Sequence, residues 1–173
     1  MGLTPIAGSR FHCKANTMDR GATILLVDDS EDDVFLFERV VAKNKLPFKI
    51  QVARNGLEAK DYMQGQRGFS DRQKFPLPQF IITDNNMPGM SGKEFLIWLK
   101  EHPGRAMVPI LMFSGAASED DVSFAYKELG VQSYIFKPAT PDKLEHYIKA
   151  IFNYWAICAI PGITRGPSSM NSF

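Results

Sequence analysis

The order of apolar and polar residues predicts five short buried strands, each followed by a helix. Continuous apolar runs such as 24–27 suit strands that are buried on both faces, as in a parallel sheet. Between the runs, apolar residues recur at helical spacing behind capping residues such as Ser30, and Ser118 with Asp121 forms a capping-box pattern. The predicted strands lie at 24–27, 48–52, 80–84, 108–113 and 134–136.

Alternating strands and helices predict right-handed βαβ units, and therefore an α/β fold with a five-stranded parallel sheet and helices on both faces. The last helix is expected to be extended, from Pro141 to about Ala159. Gly, Pro and polar residues without a period predict a disordered N-terminal tail at 1–21 and a second tail at 161–173. The folded domain is then 22–160, and Met18 is an alternative start to Met1.

Composition and charge narrow the classes of function. The chain has 173 residues, with 20 Lys and Arg against 19 Asp and Glu. This balance gives no sign of a nucleic-acid or membrane-surface partner. Two cysteines make neither a disulfide framework nor a metal cluster, and no apolar run approaches the ~20 residues of a membrane span, so we expect a cytoplasmic protein.

Polar residues follow the predicted strands at their carboxyl ends, which meet at one edge of a parallel sheet. Carboxylates gathered there repel one another unless a cation joins them, and oxygen ligands favour Mg²⁺, for which Mn²⁺ can substitute. A carboxylate beside such an ion can attack a phosphoryl group, and a lysine can balance the charge. The residues in question are Asp28, Asp29, Asp84, Ser114 and Lys137.

Four segments carry a resemblance to the response regulator receiver domain of two-component signalling. They lie at 25–30, 82–92, 112–116 and 134–138, within a similar region of about 23–152. The resemblance implies a flavodoxin-like strand order of 2-1-3-4-5. It also implies that Asp84 accepts a phosphoryl group from a histidine kinase in a Mg²⁺-dependent reaction.

The resemblance assigns roles around Asp84. Asp29 is expected to bind the metal directly and Asp28 largely through water, with the main-chain carbonyl of Asn86 as a further ligand. Ser114 and Lys137 are expected to contact the phosphoryl oxygens.

The resemblance also implies a conformational switch. Tyr134 matches an aromatic position that turns inward when the Ser114 hydroxyl moves to the phosphate. The peptide bond between Lys137 and Pro138 is expected to be cis, as it commonly is in this family.

Two segments are longer than in minimal receiver domains. In this they resemble the small stand-alone regulators that serve phytochrome-type histidine kinases. One is the predicted surface loop at 65–78, and the other is the final helix. That helix carries more apolar surface than one core-facing stripe needs. We therefore predict a homodimer through Ile151, Phe152 and Trp155, the alternative being a helix folded back over its own domain.

The predicted function is a single-domain response regulator that is phosphorylated stoichiometrically and is not an enzyme. Residues 162–173 are too few for a DNA-binding unit, so we expect output through protein contacts, with an unknown downstream partner. A phosphorylation-independent interaction module is the main alternative. A Mg²⁺-dependent aspartyl-phosphate phosphohydrolase is disfavoured because Asn86 lies where those enzymes need a second acid.

Overall fold

The computed structural model describes residues 22–102 and 108–157. The two predicted tails, the end of the predicted domain at 158–160 and the predicted helix end at Ala159 lie outside the described residues.

Five strands alternate with helices, as the sequence predicts. The strands are β1 (Ala22–Val27), β2 (Phe48–Ala53), β3 (Phe80–Thr83), β4 (Ile110–Ser114) and β5 (Ser133–Phe136). The helices are α1 (Glu31–Lys43), α2 (Gly56–Gln64), α3 (Gly92–Lys100), α4 (Glu119–Phe124), which continues as a π-helical segment (Ala125–Leu129), and α5 (Pro141–Ile157).

The strands form one parallel sheet in the order β2-β1-β3-β4-β5, which confirms the predicted fold. The pairing register aligns their carboxyl ends. Val27 at the end of β1 lies beside Ala53 and Thr83, and Ser114 lies beside Phe136. Residues that immediately follow β1, β3 and β5 therefore meet at one edge of the sheet.

Successive side chains of each strand point to opposite sides of the sheet, and helices cover both sides. On β1, Leu25 and Val27 join the core under α2, α3 and the π-helical segment. Ile24 and Leu26 join a second core under α1 and α5. This explains why β1 is apolar without alternation.

The predicted helix caps are present. Ser30 accepts a hydrogen bond from the N–H of Asp33 at 3.2 Å, so α1 begins directly after the acidic end of β1. Ser118 and Asp121 form the predicted capping box of α4. The π-helical segment that continues α4 ends, as expected, at Gly130, which has a left-handed φ of 69°.

The residues predicted to form the dimer interface belong instead to the core of the chain itself, so that assignment is wrong. Ile151, Phe152 and Trp155 are 5%, 1% and 6% exposed. Phe152 stacks on Phe48 at 4.8 Å between ring centroids, and Trp155 lies 4.4 Å from Phe80. The sheet face beside α1 is itself apolar, and α5 covers it.

The predicted loop between α2 and β3 is irregular but anchored. Arg72 donates hydrogen bonds to the carbonyl oxygens of Tyr62 at 2.8 Å and Met63 at 3.0 Å, at the end of α2. Phe69 and Phe75 pack against the Tyr62 ring. The loop is thus part of the packed domain. Within the part of the chain that the structure describes, no helix is long and apolar enough to cross a membrane.

Candidate functional site

The carboxyl edge of the sheet holds a compact cluster of charged side chains. Asp28 follows β1, Asp84 follows β3 and Lys137 follows β5, and the structure brings all three together. The Lys137 Nζ atom lies 2.7 Å from Asp28 Oδ2 and 2.7 Å from Asp84 Oδ2. One ammonium group therefore bridges two buried carboxylates.

The backbone fixes where these carboxylates point. The N–H of Asp28 donates to Ala53 at 3.0 Å and that of Asp84 to Val27 at 2.9 Å, which extends the sheet pairing by one residue on each strand. Each side chain then uses its second oxygen locally. Asp28 Oδ1 accepts from the N–H of Ser30 at 2.9 Å, and Asp84 Oδ1 accepts from that of Asn86 at 3.1 Å.

Three carboxylates at this edge can hold a divalent ion. Asp28, Asp29 and Asp84 each offer an oxygen, and these ligand atoms lie within 4.8 Å of one another. Asp29 is exposed, whereas the other two are buried, so the cluster opens to solvent on the Asp29 side. An all-oxygen set of this kind fits Mg²⁺ or Mn²⁺. Asn86, whose carbonyl was predicted as a ligand, is an exposed neighbour of Asp84.

Burial and charge set the protonation of the cluster. Burial raises the pKa of Asp28 above its ordinary value, and the hydrogen bond from Lys137 opposes this only in part. Burial would lower the pKa of Lys137, but hydrogen bonds to carboxylates outweigh it and hold the pKa above its ordinary value. Lys137 is thus a permanent ammonium, and a cation beside Asp28 would relieve the cost of burying its charge.

Ser114 ends β4, and Tyr134 lies on β5 two residues before Phe136, the residue that pairs with Ser114. Ser114 is fully buried, and its hydroxyl donates weakly to the carbonyl of Ala116 at 3.4 Å. The Tyr134 ring packs inward against the core, and its buried hydroxyl has no hydrogen-bond partner among the described residues. Burial raises the pKa of Tyr134 above its ordinary value. The nearby Ser114 hydroxyl opposes this in part, although the two hydroxyls do not form a hydrogen bond.

The start of α3 packs closely against Asp84, a contact that sequence reasoning did not identify. A Cβ atom at Gly92 would overlap the carbonyl oxygen of Asp84 and would lie 2.9 Å from Thr83 Oγ1. The Thr83 hydroxyl itself donates to that carbonyl at 2.9 Å. The sequence shows the glycine at the beginning of α3, but it does not show how closely the helix approaches the strand end.

Asp33 is a second residue that sequence reasoning missed. Its Oδ2 atom lies 2.8 Å from Lys137 Nζ, so the ammonium contacts a third carboxylate. The available signal was position: α1 begins at the carboxyl end of β1, and its first turn must therefore lie beside Asp28. The sequence pattern marks Ser30 as a helix cap but assigns no role to the acidic residues that follow it.

The peptide bond between Lys137 and Pro138 is trans, since none of the peptide bonds in the described residues is cis. The expected cis bond is therefore wrong for this structure. Trans is the isomer that most X–Pro bonds adopt.

The fold and this cluster define a receiver-type domain, and comparison with known proteins agrees. The response regulator receiver domain family matches residues 24–149, and the chain belongs to this family. The predicted membership is confirmed, as is the expected similarity to small regulators of phytochromes.

Among curated relatives, the chain is 30% identical to the response regulator Rcp1 of Synechocystis over 132 residues, which cover 76% of this chain and 87% of Rcp1. The crystal structure of Mn²⁺-bound Rcp1 superposes with a TM-score of 0.74 at 29% identity and covers 82% of this chain and 99% of that one. The phosphorylated cyanobacterial phytochrome response regulator RcpA matches with a TM-score of 0.72 at 29% identity, over 78% and 94%. The metal in the Rcp1 structure agrees with the predicted ion.

Proposed function

We propose that this protein is a single-domain response regulator that accepts a phosphoryl group from a histidine kinase onto Asp84. The observation that carries the proposal is the bridge of Lys137 between Asp28 and Asp84, at 2.7 Å to each, beside carboxylates that can hold a divalent ion. In this proposal the attacking carboxylate, the Lys137 ammonium and the metal-binding oxygens share one crevice.

The chemistry is a transfer of phosphorus from nitrogen to oxygen. An oxygen of Asp84 attacks the phosphorus of a phosphohistidine, the P–O bond forms, and the P–N bond breaks with its electron pair returning to the imidazole. In this proposal Lys137, which contacts Asp84, and the Ser114 hydroxyl at the end of β4 meet charge on the phosphoryl oxygens. A bound Mg²⁺ would supply further neutralisation of that charge.

The donor in this proposal is a phytochrome-type histidine kinase. Support comes from the similarity to RcpA, whose own description names a phytochrome response regulator, and from the anchored loop at 65–78 and the long α5. We place the protein in the cytoplasm with its kinase. The phosphorylated form acts through changed protein contacts and slowly loses its phosphoryl group by hydrolysis. The chain is therefore a stoichiometric phosphoacceptor and not an enzyme.

We retain the homodimer through α5 as part of the proposal, on a different set of residues. Since Ile151, Phe152 and Trp155 are buried, a partner would contact the outer side of α5, as far as its side chains are described. That side carries Tyr147 and Tyr154, which are 38% and 56% exposed.

Intact-protein mass after incubation with acetyl phosphate or phosphoramidate tests the phosphoacceptor. We expect one phosphoryl adduct that requires Mg²⁺, is lost in Asp84→Asn and persists in Asp120→Asn, a matched change of an exposed acid on α4. Failure of both donors to modify the wild type would contradict the proposal and favour a phosphorylation-independent interaction module.

A further inference from the structure

We propose that Asp33 is a positioning residue that holds the Lys137 ammonium in place while the other two partners of that ammonium are used by the metal and the phosphoryl group. The part of this inference that concerns phosphoryl transfer rests on the proposed function. Its part that concerns metal binding does not.

Lys137 is fully occupied by carboxylates. An ammonium has three N–H donors, and the Nζ atom lies 2.7 Å from Asp28, 2.7 Å from Asp84 and 2.8 Å from Asp33. The lysine side chain is only 13% exposed, so little water competes for these donors. Each of the three carboxylates therefore accepts one hydrogen bond from Lys137.

Two of these three carboxylates have a second role. Asp28 and Asp84 belong to the cluster whose ligand oxygens lie within 4.8 Å of one another, and among the described residues Asp33 does not join it. A divalent ion bound to Asp28 weakens the hydrogen bond between Asp28 and Lys137. A phosphoryl group on Asp84 weakens the hydrogen bond between Asp84 and Lys137. The bond to Asp33 is the one that remains, so the ammonium can turn to a phosphoryl oxygen without leaving the crevice.

The position of Asp33 is fixed by α1. Its N–H donates to the Ser30 hydroxyl at 3.2 Å in the first turn, and its side chain is 23% exposed. Asp32, the preceding residue, is exposed, and its side chain has no hydrogen bond or ion pair with any described residue. It carries the same charge on the same helical turn and so provides a matched control.

Mn²⁺ affinity, measured from the electron paramagnetic resonance signal of free Mn²⁺, tests the inference without a phosphodonor. In Asp33→Asn the ammonium keeps only two charged partners, Asp28 and Asp84, and therefore competes more strongly with the metal for them. The Mn²⁺ dissociation constant should rise about fivefold, the size of a partly screened ion pair. Asp32→Asn changes it less than about twofold.

A double-mutant cycle shows whether Asp33 acts through the lysine. In a Lys137→Met background, we expect Asp33→Asn to change the Mn²⁺ dissociation constant by less than about twofold, because there is no ammonium left to hold. An equal effect of Asp33→Asn with and without the lysine, or an equal effect of Asp32→Asn, would overturn the inference and leave only a general charge effect.

The rate of phosphorylation by acetyl phosphate at saturating Mg²⁺ gives the second readout. We expect Asp33→Asn to slow it about tenfold while Asp32→Asn leaves it unchanged, and a rate at or above wild type would contradict a positioning role. If the wild type is not phosphorylated, the proposed function fails, whereas the metal cycle still decides whether Asp33 and Lys137 are coupled.

Discussion

Replacing Gly92 by alanine tests how closely α3 is packed against the strand end that carries Asp84. An alanine Cβ would overlap the Asp84 carbonyl oxygen, lie 2.9 Å from Thr83 Oγ1 and lie 3.0 Å from the Asp84 carbonyl carbon. Two of these three neighbours are backbone atoms, so no side-chain rotation can relieve the contact. The helix and the strand end must separate by on the order of 1 Å, as in an overpacked core.

The expected cost is about 3 kcal/mol, the upper part of the range for overpacking, against a gain of at most about 1 kcal/mol from the better helix propensity of alanine. Urea unfolding followed by circular dichroism measures the net loss of about 2 kcal/mol, and the melting temperature should fall by about 4 to 8 °C.

Gly115→Ala is the matched control, because a Cβ there meets nothing within 4 Å and the residue also borders the site. It should be neutral or slightly stabilising. A loss in Gly92→Ala no larger than in Gly115→Ala would refute the packing argument.

Two further predictions concern tyrosines. Tyr62 donates to the Pro76 carbonyl at 2.6 Å, and burial raises its pKa to about 12. Its neutral phenol therefore stabilises the fold fully below about pH 10, its ordinary pKa, and this contribution is lost as the pH rises through 12. Ultraviolet titration should show a late ionisation that Tyr62→Phe removes and Tyr126→Phe keeps, and a wild type without that step would contradict the assignment. For the homodimer, sedimentation should show a dimer that becomes a monomer when Tyr147 and Tyr154 are both changed to serine. The exposed residue Phe35 on α1 gives the control, Phe35→Ser, and a monomeric wild type would end the dimer proposal.

The fold was predictable because local pattern and topology agree. Apolar runs without alternation, such as 80–82, required a sheet covered on both faces, and caps such as Ser30 and Ser118 marked the helix starts. The surface against which the wide apolar face of α5 packs was not predictable. The periodicity of α5 identifies Phe152 and Trp155 as apolar positions. Only the packed structure shows that they contact Phe48 and Phe80 of the same chain.

The site was predictable in so far as it follows strand ends. Asp28, Asp84 and Lys137 could be grouped because parallel strands share one carboxyl edge. Position places the first turn of α1 near Asp28, but it does not predict the contact of Asp33 with Lys137. That contact depends on the angle at which α1 leaves the sheet and on the reach of a lysine side chain. The inward position of Tyr134 likewise depends on side-chain packing that no local pattern specifies.

The central claim is that Asp84 is the phosphorylated residue. Treating the phosphorylated protein with borohydride reduces an aspartyl phosphate to homoserine, and peptide mass spectrometry then locates it. We predict homoserine at position 84, dependent on Mg²⁺ and on the phosphodonor. Homoserine at another position, or an adduct that resists borohydride, would contradict the account.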